Sequence, residues 1–218
     1  LVTGTALVDI MVPIAKGQRQ LVLGDPKTGK SSFVLNTIKN QINEGTIAVY
    51  AAVGKKTGDI KLLQAFMETD DRKDKMVIVA TSSFDSPGLI FQTPFTAMTI
   101  AESFRDKGKD VLVVFDDLLT HAKFYREFSL LSQTFPGRDS YPADIFHVHA
   151  RLLERAGNFE HQQSGQASIS CLPIAETAEG DLTGYIVSNL MSITDGHLFF
   201  DTNVFAQGRR PAINIPLS

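Results

Sequence analysis

The residues best suited to chemistry in this chain form one short run, GDPKTGKS at positions 24–31, which satisfies the pattern GxxxxGK[ST] in full. In such a loop, backbone N–H groups point at phosphate oxygens, the lysine reaches the β- and γ-phosphates, and the hydroxyl ligates Mg²⁺. The alternative is a surface turn that contains Gly and Lys by chance, but an apolar strand-like run precedes the motif and a helical segment follows it. The sequence therefore predicts a nucleoside triphosphate site. The residues expected to bind are Gly24, Asp25, Pro26, Lys27, Thr28, Gly29, Lys30, Ser31 and Ser32.

A second candidate feature is the acidic pair Asp116 and Asp117, which follows the apolar run 111–115. A phosphate loop needs an acidic partner for its metal, and an Asp at the carboxyl end of a strand can orient the water molecules of Mg²⁺. We expect Ser31 and Asp116 on the metal side of the site. Asp117 is either an adjacent polar contact or a cap on the following helix. The alternative for the pair is two loop acids after a core strand.

Composition limits the kind of protein. With 218 residues and 43% apolar composition, the chain can bury one substantial core, and we expect a single domain over residues 1–218, cut from a longer chain. The net charge is -3, and no Lys/Arg stripe with interleaved aromatics stands out, so we expect no nucleic acid partner. The single cysteine, Cys171, lies in an apolar run and is expected in the core of a protein from a reducing compartment.

Short β-rich runs alternate with amphipathic helical stretches along the chain. Strands are expected at 20–23, 46–53, 76–81, 111–115 and 167–172, and helices at 31–43, 58–68, 89–107, 119–133 and 143–157. This order predicts an α/β fold with a mainly parallel sheet. Because the runs 76–80 and 111–115 are apolar throughout, helices should cover both faces. Asp144 is a candidate helix cap, Gly157 a candidate helix stop, and 158–166 a candidate mobile loop.

Several further motifs resemble one family, the alpha subunits of F-type rotary ATP synthases and ATPases. The most specific are PGRDSYPADIF at 136–146 and HARLLERA at 149–156. Others match in order along the chain, at 3–4, 12–14, 17–19, 104–109, 116–118, 125–126, 192–196 and 208–214. The similarity covers essentially the whole chain and favours the alpha subunit over the catalytic beta subunit.

This resemblance implies a RecA-like P-loop domain that binds ATP or ADP with Mg²⁺. It implies an alternating hexamer with a beta-type catalytic subunit, a central rotor subunit, and a complex that couples ATP to proton transport. The domain would lie on the cytoplasmic or organelle-matrix face of an energy-coupling membrane without contacting the membrane itself, and no apolar stretch approaches the roughly 20 residues that a bilayer-spanning helix needs. On the base side, the resemblance places Phe205, Arg210 and Pro211 around the adenine; ordinary core packing is the alternative for Phe205.

The resemblance also bears on catalysis, because hydrolysis needs a residue that positions the attacking water. The catalytic relatives carry Glu after the second strand, alpha subunits typically carry Gln there, and this chain has Lys55. We therefore predict no catalytic residue in this chain, with Lys55 either beside the γ-phosphate or in a solvated loop. Pro26 and Lys27 also depart from the Arg and Gln usual in the family. The arginine that alpha subunits give to the neighbouring catalytic site would come beyond Ser218.

Two other hypotheses belong to different classes. One is a self-contained hexameric ATPase that resembles secretion-type motors, in which Glu176 replaces the missing base. In the leading hypothesis Glu176 is a polar contact in the site. The other is a RecA-like or Rho-like nucleic-acid motor, which would need a basic channel loop that is not visible in the sequence.

Overall fold

A seven-stranded sheet forms the centre of the computed structural model, which describes residues 1–69, 72–161 and 165–218. Six strands are parallel, in the order β3-β2-β4-β6-β1-β7, and β5 pairs antiparallel with the first part of β6. The strands are β1 (Gln20–Gly24), β2 (Ile47–Lys55), β3 (Met76–Ser82), β4 (Val111–Asp116), β5 (Gly157–His161), β6 (Gly165–Glu176) and β7 (Gly196–Phe200). The predicted α/β class with a mainly parallel sheet is confirmed.

Helices connect the parallel strands, as crossover connections require. They are α1 (Ala6–Met11), α2 (Lys30–Asn43), α3 (Thr57–Glu68), α4 (Pro87–Arg105), α5 (Leu118–Leu131), α6 (Ile145–Leu153), α7 (Tyr185–Ile193) and α8 (Thr202–Ala206), with 3-10 turns at Arg138–Ser140 and Ile215–Leu217. In the described residues, no helix is both long and apolar enough to cross a bilayer.

The sheet separates two apolar clusters, because successive side chains of a strand point to opposite faces. On β1, Leu21 and Leu23 pack with α4, α5, α6 and α7, while Val22 between them packs with α2 and α3. All six residues of β4 are buried, as its unbroken apolar sequence predicted. β3 differs, since most of its residues are only half-buried. It lies at the edge of the sheet, so helices cover it less completely than the apolar run 76–80 suggested.

The region after α5 departs most from the sequence prediction. The helix expected at 143–157 ends at Leu153, and Gly157 begins β5 instead of stopping the helix. The Asp144 carboxylate accepts hydrogen bonds from the Tyr125 hydroxyl and does not cap α6. The proposed mobile loop is partly a β-hairpin, since 158–161 belongs to β5 and 165–166 to β6. The rest of that prediction, 162–164, lies outside the described residues.

β6 is longer than predicted, and this extension matters for the site. The strand continues past Leu172 to Glu176, where Glu176 is in register with Gly24 at the end of β1. Cys171 is buried in the same strand, as expected. Since the carboxyl ends of parallel strands meet at one edge of a sheet, β1, β4 and β6 bring the phosphate loop, the acidic pair and Glu176 to the same edge.

Candidate nucleotide-binding site

The phosphate loop connects β1 to α2, which begins at Lys30. Gly24 ends β1 beside Phe200 of β7, and a Cβ at Gly24 would lie 2.4 Å from the Phe200 carbonyl oxygen, so only glycine fits there. The first N–H groups of a helix have no partner within it and carry the positive end of the helix dipole. The turn before α2 therefore presents donors to an anion.

Lys30 lies at the floor of this loop. Its Nζ donates to the backbone carbonyls of Gly24 at 2.7 Å and Asp25 at 2.6 Å, and the side chain is buried. Burial lowers the pKa of Lys30, while the charges of Glu176 and Asp116 act in the opposite direction. The loop thus holds an ammonium group whose present partners are carbonyl oxygens, which a phosphate oxygen can replace.

A cavity of about 240 Å³ opens beside Lys30. Its lining residues are Lys27, Gly29, Lys30, Ser31, Ser32, Lys55, Asp116, Ile174 and Glu176. The other predicted loop residues shape the turn: the Thr28 hydroxyl donates to the Asp25 carbonyl, Gly24 ends the strand, and Pro26 is exposed. The structure therefore brings Lys55, Asp116 and Glu176, which are far apart in sequence, to the phosphate loop.

Asp116 has two close partners at the end of β4. Its Oδ2 accepts a hydrogen bond from the Tyr50 hydroxyl at 2.6 Å, and its Oδ1 lies 2.6 Å from the Lys55 ammonium. Burial, followed by the Asp116 charge, raises the pKa of Tyr50 well above its usual value, so this hydroxyl stays a donor. Asp117 accepts from the Thr120 N–H and caps α5, as one of the two predictions for it stated.

Lys55 also approaches Asp117, with 3.3 Å between Nζ and Oδ2. Only 20% of the Lys55 side chain is exposed, so the alternative of a solvated loop is wrong. Burial by itself lowers the pKa of Lys55, but the two carboxylates together outweigh burial and raise it. Lys55 is therefore a permanent cation inside the cavity, at the position where the resemblance predicts Gln or Glu.

The residues predicted to hold Mg²⁺ fit such an ion only in part. Ser31 and Asp116 both line the cavity, and hydroxyl and carboxylate oxygens are suitable ligands. However, Tyr50 and Lys55 already engage both oxygens of Asp116. A divalent cation at Asp116 would have to share or displace the Lys55 ammonium.

The predicted base-side residues lie after β7, the strand next to β1. Arg210 and Pro211 line a second cavity of about 670 Å³, together with residues of the 204–216 segment and Leu7. The Arg210 guanidinium covers the Phe205 ring at 3.5 Å from its centroid. Among the described residues the two cavities share no lining residue. The structure thus brings the three base-side residues together, at a cavity separate from the one beside Lys30.

Two residues of the site, Tyr50 and Thr177, were not predicted from the sequence. Tyr50 is buried in β2, and a buried tyrosine hydroxyl usually has a hydrogen-bond partner, which was the available signal. Thr177 donates to the Asp25 carboxylate at 2.6 Å. Its role depends on β6 being adjacent to β1, which no local pattern reveals.

Comparison with known proteins agrees with this geometry. The sequence profile of the ATP synthase alpha/beta family, nucleotide-binding domain, matches residues 4–218. The chain belongs to this family. The family match implies nucleotide binding, in agreement with the phosphate loop and the cavity beside it.

Individual relatives are ATP synthase alpha subunits. The chain is 46% identical over 216 residues to ATP synthase subunit alpha of Acholeplasma laidlawii, covering 99% of this chain and 43% of the relative. It is 45% identical over 218 residues to ATP synthase subunit alpha of Clostridium acetobutylicum, covering 100% of this chain and 43% of the relative. It is 47% identical over 219 residues to the same subunit of Mycoplasma pneumoniae, covering 100% of this chain and 42% of the relative. The chain therefore spans less than half the length of these relatives. They confirm the predicted resemblance to alpha subunits, and they do not favour a secretion-type motor.

Proposed function

We propose that this nucleotide-binding domain holds ATP or ADP without hydrolysing it, as an alpha-type subunit of a rotary ATP synthase or ATPase. The observation that carries the proposal is Lys55, which is ion-paired with Asp116 and Asp117 where the catalytic relatives have Glu. A lysine held as a cation cannot accept a proton from water or orient it as a carboxylate does. Its charge can hold the phosphates of bound ATP in the ground state, and ground-state binding alone does not accelerate hydrolysis.

The binding residues follow from the cavity. Lys30 and the N–H groups at the start of α2 would bind the terminal phosphates, with Lys27, Ser31 and Ser32 along the same wall. Glu176 would be a polar contact rather than a base. Arg210 and Pro211 would line the adenine side with Phe205 beneath Arg210. A Mg²⁺ ion held by Ser31 and Asp116 would neutralise charge on the β- and γ-phosphates, but it would have to share Asp116 with the Lys55 ammonium or displace that group.

The assembly is part of the same proposal. The relatives are named as ATP synthase alpha subunits, which supports a complex with other ATP synthase subunits. We infer an alternating hexamer with a beta-type catalytic subunit around a central rotor subunit, peripheral to an energy-coupling membrane on its cytoplasmic or matrix side. In that assembly the neighbouring beta-type subunits catalyse ATP synthesis or hydrolysis coupled to proton transport, and this domain supports them. Residues 1–218 would act as one domain of a longer subunit.

The test is to incubate the purified protein with excess ATP and Mg²⁺ and to follow bound nucleotide and released phosphate together. We expect about one intact ATP per site and no sustained phosphate release. Lys30→Ala should weaken binding by roughly 10- to 100-fold, because it removes charge-assisted hydrogen bonds. Lys39→Ala is the matched control, since Lys39 is exposed on the same helix.

Sustained phosphate release that disappears in Lys30→Ala would contradict the proposal. The protein would then be an ATPase in its own right. In that case Glu176→Gln would show whether Glu176 is the base, as the cavity contains this carboxylate.

A further inference from the structure

In the described part of the chain, five charged side chains line the phosphate cavity, the cavity of about 240 Å³ beside Lys30. Three lysines line it, Lys27, Lys30 and Lys55, together with the carboxylates Asp116 and Glu176. Lys27 is exposed and Lys30 is bonded to loop carbonyls, whereas Lys55 is held by Asp116 at 2.6 Å and Asp117 at 3.3 Å. A fixed cation therefore lies at the carboxylate that is expected to serve a metal.

An ammonium group and a divalent cation compete at this carboxylate. Asp116 is 13% exposed at its side chain, and its second oxygen is taken by the Tyr50 hydroxyl. Tyr50 fixes the direction of the carboxylate, so that its remaining oxygen faces Lys55. Mg²⁺ demands near-ideal octahedral geometry and would also be repelled by the neighbouring ammonium.

The Lys55 ammonium can also neutralise phosphate charge, which is one role of the metal. In a phosphate-binding site the metal neutralises charge on the terminal phosphates and links them to the strand carboxylate. Lys55 is already bound to that carboxylate and lines the cavity beside Lys30. Since an ammonium has three donors, Lys55 can bond Asp116, Asp117 and a phosphate oxygen at once.

We propose that the Lys55 ammonium takes the place of the divalent cation, so that the site binds ATP with little dependence on Mg²⁺. This inference rests on the proposed function of the site as a nucleotide site. It assigns to Lys55 the role of linking the phosphates to Asp116. It also makes Ser31 a hydrogen-bonding contact to phosphate instead of an obligatory metal ligand.

The experiment measures the dissociation constant of ATP by equilibrium dialysis, with excess EDTA and with saturating Mg²⁺. For the unmodified protein we expect the two constants to agree within about threefold, well under the 1.4 kcal/mol that a tenfold change represents. For Lys55→Gln we expect binding in EDTA to be about tenfold or more weaker, and to recover largely with Mg²⁺. Lys55→Arg keeps the charge and should retain binding in EDTA. Lys56→Gln removes an exposed neighbouring lysine outside the cavity and should behave as the unmodified protein.

A second measurement reports the metal directly. With ATP bound, Mn²⁺ titrations followed by electron paramagnetic resonance should show weak Mn²⁺ binding by the unmodified protein and stronger binding by Lys55→Gln. Equal Mn²⁺ affinity in the two proteins would overturn the inference.

The outcomes separate the inference from the proposed function. ATP binding that requires Mg²⁺ in the unmodified protein would contradict the inference but not the proposed function. Failure to bind ATP under both conditions would overturn the proposed function itself. The comparison of EDTA with Mg²⁺ in the unmodified protein decides the question even where Lys55→Gln does not fold.

Discussion

The carboxylate of Asp25 accepts a hydrogen bond from the Thr177 hydroxyl at 2.6 Å, which joins the phosphate loop to the end of β6. The same oxygen, Oδ1, accepts from the N–H of Gly180 at 3.0 Å. Asp25 and Thr177 are both buried, and 152 residues separate them along the chain. The loop that would bind phosphate is therefore hydrogen-bonded to the segment after Glu176.

This relationship predicts the effect of Asp25→Ala. The substitution leaves two donors without their acceptor, and an unsatisfied buried donor costs about 1 to 3 kcal/mol of unfolding free energy. Urea unfolding should show this loss, and ATP affinity should fall because the loop loses its anchor. Asp181→Ala is the control, since Asp181 also accepts from a threonine but is exposed, and its effect should be much smaller. Equal effects of the two substitutions would contradict a special role for Asp25.

The two glycines of the phosphate loop should respond differently to alanine. Gly24 has a φ of 145°, and a Cβ there would meet the Phe200 carbonyl oxygen at 2.4 Å. Gly29 also has a positive φ, 100°, but among the described residues no atom outside Gly29 and its chain neighbours lies within 4 Å of the added carbon. Gly29→Ala should therefore cost about 1 kcal/mol from backbone strain, whereas Gly24→Ala should cost about 3 kcal/mol or more. Thermal unfolding of the two variants measures the difference, which isolates the collision with β7.

A buried histidine pair should make stability depend on pH. His121 on α5 and His149 on α6 are both buried, with 3.1 Å between His121 Nδ1 and His149 Nε2. His121 Nε2 lies 3.1 Å from the Phe91 carbonyl oxygen, which can only accept. His121 is therefore protonated at Nε2 and accepts at Nδ1 from His149. Burial lowers the pKa of His121 to about 4, and burial lowers that of His149 well below its usual value.

Both histidines are neutral in the folded state, so acid should destabilise it. Above pH 6.5 the folded and unfolded states hold the same protons on these residues. As the pH falls from about 6.5 to about 4, the histidines of the unfolded chain bind protons and those of the folded chain do not. His121 alone therefore lowers the unfolding free energy by about 3 kcal/mol. Urea unfolding across this range should show the decline. The decline should be smaller in His121→Gln. It should be unchanged in His147→Gln, which alters an exposed residue of α6, the helix of His149.

The base-side proposal predicts a modest loss of affinity for Phe205→Ala. The ring lies under the Arg210 guanidinium, beside the cavity that Arg210 lines. Stacking of this kind contributes about 0.5 to 1.5 kcal/mol, so ATP should bind up to about tenfold more weakly. Phe135→Ala is the control, because Phe135 is 94% exposed and lies outside this cavity. Affinity that does not change, together with a loss of stability, would mean that Phe205 serves core packing only.

The elements that the sequence predicted well are those with strong local signals. The bounds of α2 and β4 agree within one residue with the predictions at 31–43 and 111–115, because continuous apolar runs and periodic helices depend mainly on nearby residues. α7 and β7 were missed, as was the hairpin of β5 and β6. Pairing with neighbouring strands stabilises β5, β6 and β7, and the residues nearby in the chain do not reveal that pairing.

By itself, the sequence determined the phosphate loop and the family. Only the tertiary structure decided what Lys55 does. It joins Lys55 at the end of β2 to Asp116 at the end of β4, where Ala52 and Asp116 are in register. The physical reason is that hydrogen bonding between distant strands sets the sheet order, and sheet order decides which charges meet at the carboxyl edge. The spacing of residues along the chain does not reveal that strand order.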